Sequence, residues 1–423
     1  MTTTGSPRTA PARRPHRTTA PPDSGSPAPP APAGRAPLKG RLAVLAVTLG
    51  IFTIVTTEIL PIGLLTRIGA DFGVSDGTAG LMMTLPGFLA ACAAPTVTVA
   101  TARFDRRLML CGLVALLALA NFTAAAAPVY WLVLLSRVLV GVVIGGFWSI
   151  GVGLAERLVP AASAGRATAV IFSAVPLGSV IGVPAGTFLG DLAGWRTACA
   201  AVGGLALGVW VLTALVLPPL PAVRATSPAL LRATLRGVHT RFALLMTFLV
   251  VLAHFGAYTY VTPFLERTTH LTTAATVTLF LLVYGVAGVV GNFAGGAVVA
   301  RRPRTVFGTA AALLALATLL LPVLGREPVG ALALLVVWGV AYGAVPVASQ
   351  TWFAKAAPGA PEAASVLFTA SFQATLSLGA LAGGMVVDRT SPAVVMVLGG
   401  ATAVLVALVA WLHFAKRRAW PVG

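Results

Sequence analysis

Charge is what this sequence has least of. Only 9% of its 423 residues are charged, and 11 acids face 29 lysines and arginines. Soluble domains carry about 25% charged residues, so a water-soluble enzyme of this length is excluded. Cysteine is scarce as well. Cys92, Cys111 and Cys199 each sit in an apolar stretch and in no metal-ligand spacing, which leaves them as packing residues. There is no phosphate-binding loop, dinucleotide fingerprint, G-x-S-x-G or H-E-x-x-H. Direct ATP hydrolysis is therefore not expected, and no cofactor is implied. A net charge of +18 would ordinarily suggest nucleic acid. Here the basic residues punctuate apolar runs instead of forming a basic face, so no nucleic-acid partner is expected.

What the chain has is hydrocarbon: 57% hydrophobic residues and a mean hydropathy of +0.93. A bilayer core takes about 20 apolar residues in helix. Twelve such runs can be read, over 42–65, 77–100, 108–127, 129–154, 166–190, 195–217, 242–265, 273–299, 305–324, 328–352, 363–387 and 392–414. The fold class is thus an all-α polytopic membrane protein whose partner is the lipid bilayer. Residues 1–40, with ten prolines and almost no large apolar side chain, read as a disordered Pro/Arg-rich tail. The run 42–65 is too long for a cleaved signal and has no small-residue cleavage site. With the amino terminus inside, cytoplasmic segments hold 23 of the 29 basic residues and outer loops hold five. By the positive-inside rule both termini are cytoplasmic.

The two halves repeat at an offset near 197. The basic stretch before the third helix (103–107) recurs before the ninth (301–304). Asp191 matches Asp388, and Gly182 and Gly186 match Gly379 and Gly383. The expected organisation is a bundle over 41–217, a cytoplasmic linker over 218–241, a second bundle over 242–415 and a cytoplasmic tail over 416–423. Duplicated six-helix units of this kind rock around a central site in transporters.

An ionisable residue inside a span costs about 2.5–3.5 kcal/mol on insertion scales, so each needs a reason. Three lie well inside: Glu58, Arg137 and His254. At about 1.5 Å per residue, Glu58 and Arg137 come out at similar depth, roughly 20–24 Å from the inner face. They can meet if the first and fourth helices are neighbours. A carboxylate whose surroundings change between two conformations can load a proton on one side and release it on the other. The alternative for the pair is a static ion pair that fixes helix packing. His254 is a third proton-coupling candidate, or else a hydrogen-bonded core residue. Gln373, Tyr258, Tyr260, Trp148 and Asn121 are candidate substrate-binding residues, since aromatic faces with an amide or two suit a flat, moderately polar solute such as a nucleobase. Each could instead be interhelical glue. Gly141 and Gly145 follow Arg137 at every fourth position. Gly178, Gly182, Gly186 and Gly190 form a second row, interrupted by Pro184. Small residues so spaced let helices approach closely and slide.

These segments resemble the major facilitator superfamily, in its drug:proton antiporter group with twelve helices, over about residues 41–415. RVLVG (Arg137–Gly141), continuing to Trp148, is similar to the group's fourth-helix motif. GSVIGVPAGTFLG (Gly178–Gly190) is similar to its fifth-helix antiporter motif, with Val183 inserted between the usual Gly-Pro pair. TEILPIGLL (Thr57–Leu65) resembles the branch of arabinose-type sugar, purine nucleoside and chloramphenicol exporters, whose first-helix acid corresponds to Glu58. YTYVTPFLE (Tyr258–Glu266) and LLVYGVAGVVGN (Leu281–Asn292) look nearest to purine ribonucleoside exporters. The loop motif is reduced to ARFDRRL, which keeps Asp105 and Arg106 but has Thr101 and Leu108 in place of glycines. The resemblance implies two pseudo-symmetric six-helix bundles and a monomeric proton-coupled exporter of a small organic solute in the bacterial plasma membrane. Asp105 and Arg106 would have a conformational role. A multidrug, antibiotic or sugar exporter is the alternative. A membrane enzyme or a non-transporting sensor would be a different class, and the sequence shows no clustered catalytic groups for the former.

Overall fold

The computed structural model describes residues 1–3, 5, 38–100, 104–151, 154–221, 228–299, 301–356 and 361–415. Most of the expected tail over 1–40, and the tail over 416–423, lie outside the described residues. Twelve helices among the described residues are long and apolar enough to cross a membrane: α1 (Leu38–Phe72), α2 (Asp76–Val97), α3 (Arg106–Ala125), α4 (Tyr130–Trp148), α5 (Arg166–Ala193), α6 (Trp195–Val216), α7 (Val238–Arg267), α8 (Ala274–Val299), α9 (Thr305–Leu324), α10 (Pro328–Phe353), α11 (Val366–Arg389) and α12 (Pro392–Leu412). All twelve coincide with the runs read from the sequence, within a turn or so at most ends. The first is the exception. It starts at Leu38, just past Pro37, and continues through Pro61 to Phe72.

Packing repeats with the sequence. Within the first six helices α2 packs on α4, α3 on α6 and α1 on α5; within the second six the same pairs recur as α8 on α10, α9 on α12 and α7 on α11. The halves meet along α2–α11 and α5–α8, which are again equivalent pairs. This is two pseudo-symmetric six-helix bundles. A short linker helix, Pro228–Arg236, contacts α7 and α11.

Glycine rows set the close seams. Gly141 and Gly145 of α4 have Pro86, Leu89, Ala90 and Ala93 of α2 where a Cβ would go. Gly178, Gly182, Gly186 and Gly190 of α5 face Val55, Thr56, Leu60 and Leu64 of α1 in the same way. Both rows therefore serve contacts inside the first bundle and do not line the interface between bundles. Pro184 is buried in the second row, just after a π-type turn at Gly178–Gly182. Such a turn accommodates the amide that Pro184 lacks, four residues after Val180. Glycines between bundles include Gly77, Gly80 and Gly87 of α2, against Asp388, Tyr260 and Ser377, Gly384 of α11 against Gly77, and Gly285 of α8 against Val180 of α5.

The end at which α1 finishes at Phe72 and α11 at Arg389 is held shut. Asp388 of α11 accepts from Ser75 Oγ at 2.7 Å and from the Gly77 amide at 2.8 Å. Arg267 pairs with Asp76 at 2.6 Å. Thr66 donates to Glu266 at 3.2 Å, and Thr262 donates to the Ile62 carbonyl at 2.8 Å. Asp191, the repeat counterpart of Asp388, pairs instead with Arg67 of its own bundle. A side chain at position 77 must displace Asp388 and the Gly384 carbonyl. Gly77→Val is therefore expected to open this end. With the native cysteines replaced, a cysteine at the fully buried Ile62 should react several-fold faster with a membrane-impermeant maleimide in Gly77→Val than without it. An equal rate would show that the seam is not the closure.

Candidate functional site

Two prolines create the demand that the central site answers. Pro61 has no amide for the carbonyl of Thr57, four residues earlier in α1, and Pro86 leaves the carbonyl of Met82 in α2 without its donor. Away from water each such group costs free energy unless it finds another partner. Arg137 supplies it. Its Nε donates to the Met82 carbonyl, one terminal nitrogen to the Thr57 carbonyl and the other to the Glu58 carbonyl, each at 3.0 Å. Arg137 as a whole is only 5% exposed. Arg137 and Glu58 therefore meet as their depths suggested, but through the Glu58 backbone. Among the described residues no ion pair joins the guanidinium to the carboxylate; the guanidinium's donors go to the two carbonyls freed by proline and to the Glu58 carbonyl.

The Glu58 carboxylate turns the other way, toward the second bundle. Its Oε1 accepts from Gln373 Nε2 of α11 at 2.9 Å, and both residues are buried. This bond joins the bundles midway along their interface. Two atoms beside it have no partner among the described residues: Gln373 Oε1 and the Tyr342 hydroxyl of α10. The Tyr342 ring meets Phe255 edge-on, and Phe255 meets Phe372, the neighbour of Gln373 in α11.

Behind Tyr342 stands a column of aromatic rings. Tyr342 stacks on His254 with centroids 3.3 Å apart, His254 on Tyr258 at 5.0 Å, and Tyr258 on Tyr284 at 4.5 Å. Trp338 meets His254, Tyr258 and Tyr284 edge-on. Its indole nitrogen, which can only donate, bonds His254 Nδ1 at 3.0 Å. That nitrogen therefore accepts, and in this conformation His254 is a buried, hydrogen-bonded residue of the second bundle.

The remaining candidates separate. Tyr260 is two residues beyond Tyr258 but belongs elsewhere. Pro263 deprives the Thr259 carbonyl of its donor, α7 breaks at Thr259–Tyr260, and the Tyr260 hydroxyl donates to the Ala380 carbonyl at 2.7 Å within the closed end. Asn121 ties α3 to α1 through Thr57 Oγ1 at 3.1 Å and also bonds the Leu117 carbonyl. With Ser136, Arg137 and Cys199 it lines a cavity of about 20 Å³ inside the first bundle, room for a single water. Trp148 packs on the first bundle's core. Asp105 caps α3 through the Arg107 amide at 2.7 Å and holds the linker through the Leu220 amide at 3.1 Å. Arg106 bonds the Leu220 carbonyl through its own amide. Both thus anchor the linker to α3, and the described residues show no bond from Asp105 to the second bundle. Sequence reasoning missed Tyr342, Tyr284, Trp338 and the Ser75–Asp388 contact. The chain's scarcity of tyrosine, five in all, was the available signal, since three of the five converge on His254.

The profile of the Major Facilitator Superfamily matches residues 46–366. The chain belongs to that superfamily. It is 36% identical over 353 residues, 82% of this chain and 87% of the relative, to the transcription regulatory protein OpdE of Pseudomonas aeruginosa. It is 32% identical over 369 residues, 87% and 92%, to the purine ribonucleoside efflux pump NepI of Salmonella paratyphi A. In fold it is similar to a bacterial homologue of the human lysosomal transporter Spinster in an inward-facing, occupied conformation, with TM-score 0.71, 18% identity, and 90% and 98% of the two chains covered. The human organic anion transporter MFSD10 follows at TM-score 0.64 and 18% identity, with 88% and 100% covered. This is a multi-pass membrane transporter fold for a small-molecule substrate, not an enzyme.

Lysine's three donors radiate from one nitrogen and cannot reach three separated carbonyls as the guanidinium fork does. Arg137→Lys should therefore destabilise the protein by about 1–3 kcal/mol, read as a lowered melting temperature in detergent. Pro61→Ala, which restores the amide under Thr57, should recover part of that loss in the double variant. A double variant no more stable than Arg137→Lys would show that the carbonyls are not the reason for the arginine.

Proposed function

We propose that this protein is a proton-coupled exporter that moves a purine nucleoside or similar small solute out across the bacterial plasma membrane in exchange for a proton. The observation that carries the reading is Glu58, a buried carboxylate bonded across the bundle interface to Gln373. An acid at that place is exposed to whichever side the bundles open toward, so rocking of 41–217 against 242–415 would present it alternately to both sides. Asp388, Arg267 and Glu266 would form the outer gate, with both termini cytoplasmic in keeping with the excess of basic residues on that side. The aromatic column ending at Tyr342 gives a flat solute a face to stack on.

The nucleoside is favoured by the 32% identical relative named as a purine ribonucleoside efflux pump. A membrane potential of about 150 mV supplies roughly 3.5 kcal/mol per charge, enough for a few-hundredfold gradient of a neutral solute. A drug, antibiotic or sugar exporter is the rival within transport. The 36% identical relative named as a transcription regulatory protein favours a second reading, a sensor that binds solute without moving it.

Inside-out vesicles with an imposed proton gradient separate these readings. Labelled inosine should accumulate in vesicles carrying the native protein, arabinose and chloramphenicol should not, and Glu58→Gln or an uncoupler should abolish accumulation. Inosine accumulation unchanged in Glu58→Gln would remove the proton-coupling claim. Binding without accumulation would favour the sensor.

A further inference from the structure

We propose that Gln373 is the element that converts the protonation state of Glu58 into the hydrogen-bonding character of the solute site. The inference rests on the proton-coupled reading above and assigns Gln373 a positioning role within it.

A charged carboxylate only accepts hydrogen bonds. In the observed arrangement Gln373 Nε2 therefore donates to Glu58 Oε1 at 2.9 Å. This fixes the amide with its oxygen turned away, and that buried oxygen has no partner. The Tyr342 hydroxyl is also unpartnered, and its ring reaches the neighbourhood of Gln373 through Phe255 and Phe372. The site in this state presents an acceptor and selects a solute that brings an N–H or O–H donor, as a nucleoside does.

Protonation reverses the polarity. A proton taken from solvent on the outer side forms one O–H bond on Glu58, and the same bond breaks when the proton leaves to the inner side. No other covalent bond changes, and the amide keeps both of its hydrogens. The neutral acid is now a donor, and Gln373 satisfies it by turning its amide over so that Oε1 accepts. The N–H groups then face the solute site, and a bound donor loses its acceptor. Loading Glu58 thus weakens the solute, and unloading it restores the site, which is the reciprocity that exchange of proton for solute requires.

The other ionisable groups around α1 leave this step to Glu58. Arg137 of α4 is committed to carbonyls. On α10 the facing group is Tyr342, and His254 of α7 behind it is tied to Trp338. Asp76, Asp191, Glu266, Arg67 and Arg267 are engaged with one another and with Thr66 at the closed end. Asp71 and Arg196 pair there as well.

The test is inosine binding to the purified full-length protein between about pH 9 and about pH 5, compared in wild type, Gln373→Met and Gln373→Leu. Wild type should bind roughly tenfold more weakly once Glu58 is protonated, the consequence of one buried acceptor lost. In both variants the ratio between the two ends of the pH range should collapse to near one. Equal weakening of the variants at every pH, with the wild-type ratio preserved, would make Gln373 a plain contact and overturn the proposal. Absence of inosine binding to wild type at any pH would remove the nucleoside reading and leave the switch to be decided by infrared difference spectra. The carbonyl band of protonated Glu58, identified by its loss in Glu58→Gln, should be displaced in Gln373→Met. A coincident band would overturn the switch.

Discussion

Three carbonyls converge on one guanidinium, and the shape of the first bundle's inner face follows from that. Hydrocarbon offers no water to a carbonyl that proline has deprived of its donor, so a helix can carry proline at mid-depth only if a neighbour supplies the missing hydrogen bond. Arg137 does so for Pro61 in α1 and for Pro86 in α2 at once. α1 is thereby able to continue to Phe72, and Glu58, three residues before its proline, is free to direct its carboxylate at the other bundle. The arginine and the acid are coupled through backbone geometry and not through a shared charge pair.

The described polar groups that cross between bundles then fall into two sets. Midway lies one bond, Glu58 to Gln373. Toward the closed end lie Ser75 and Gly77 on Asp388, Asp76 on Arg267, Thr66 on Glu266 and Ile62 on Thr262. The first set is a single bond between two buried side chains. The second is spread over several helices at an end that carries the loops. The aromatic column belongs to neither set. It is a rigid wall of the second bundle, keyed by a hydrogen-bonded histidine, and it holds the Tyr342 ring beside the middle bond.

The spans were legible because bilayer thickness translates directly into run length, and the duplication was legible because homologous turns keep their charges and glycines. Glu58 and Arg137 stood out for the same reason, the cost of an ionisable group in hydrocarbon. How they meet was not legible, since a carbonyl partner leaves no mark in the side-chain alphabet. Only the spacing of four between Thr57 and Pro61, and between Met82 and Pro86, carried that information. Tyr258 and Tyr260 looked equivalent in the sequence, yet Pro263, three residues after Tyr260, breaks the helix between them and sends Tyr260 to the closed end. The glycine rows were visible as rows, but periodicity does not say which neighbour a face will meet. Asp191 and Asp388 make the same point: matched by the repeat, they form different contacts.

Whether the buried carboxylate exchanges a proton for solute is the claim on which the rest depends, and the most direct observation is the proton itself. Purified protein in sealed liposomes, with no initial proton gradient and an inosine gradient across the membrane, would be followed with an impermeant pH dye in the lumen. Protons should move opposite to the nucleoside, in proportion to the amount moved, and not at all with Glu58→Gln. Inosine movement with a flat proton trace in the native protein would contradict that claim.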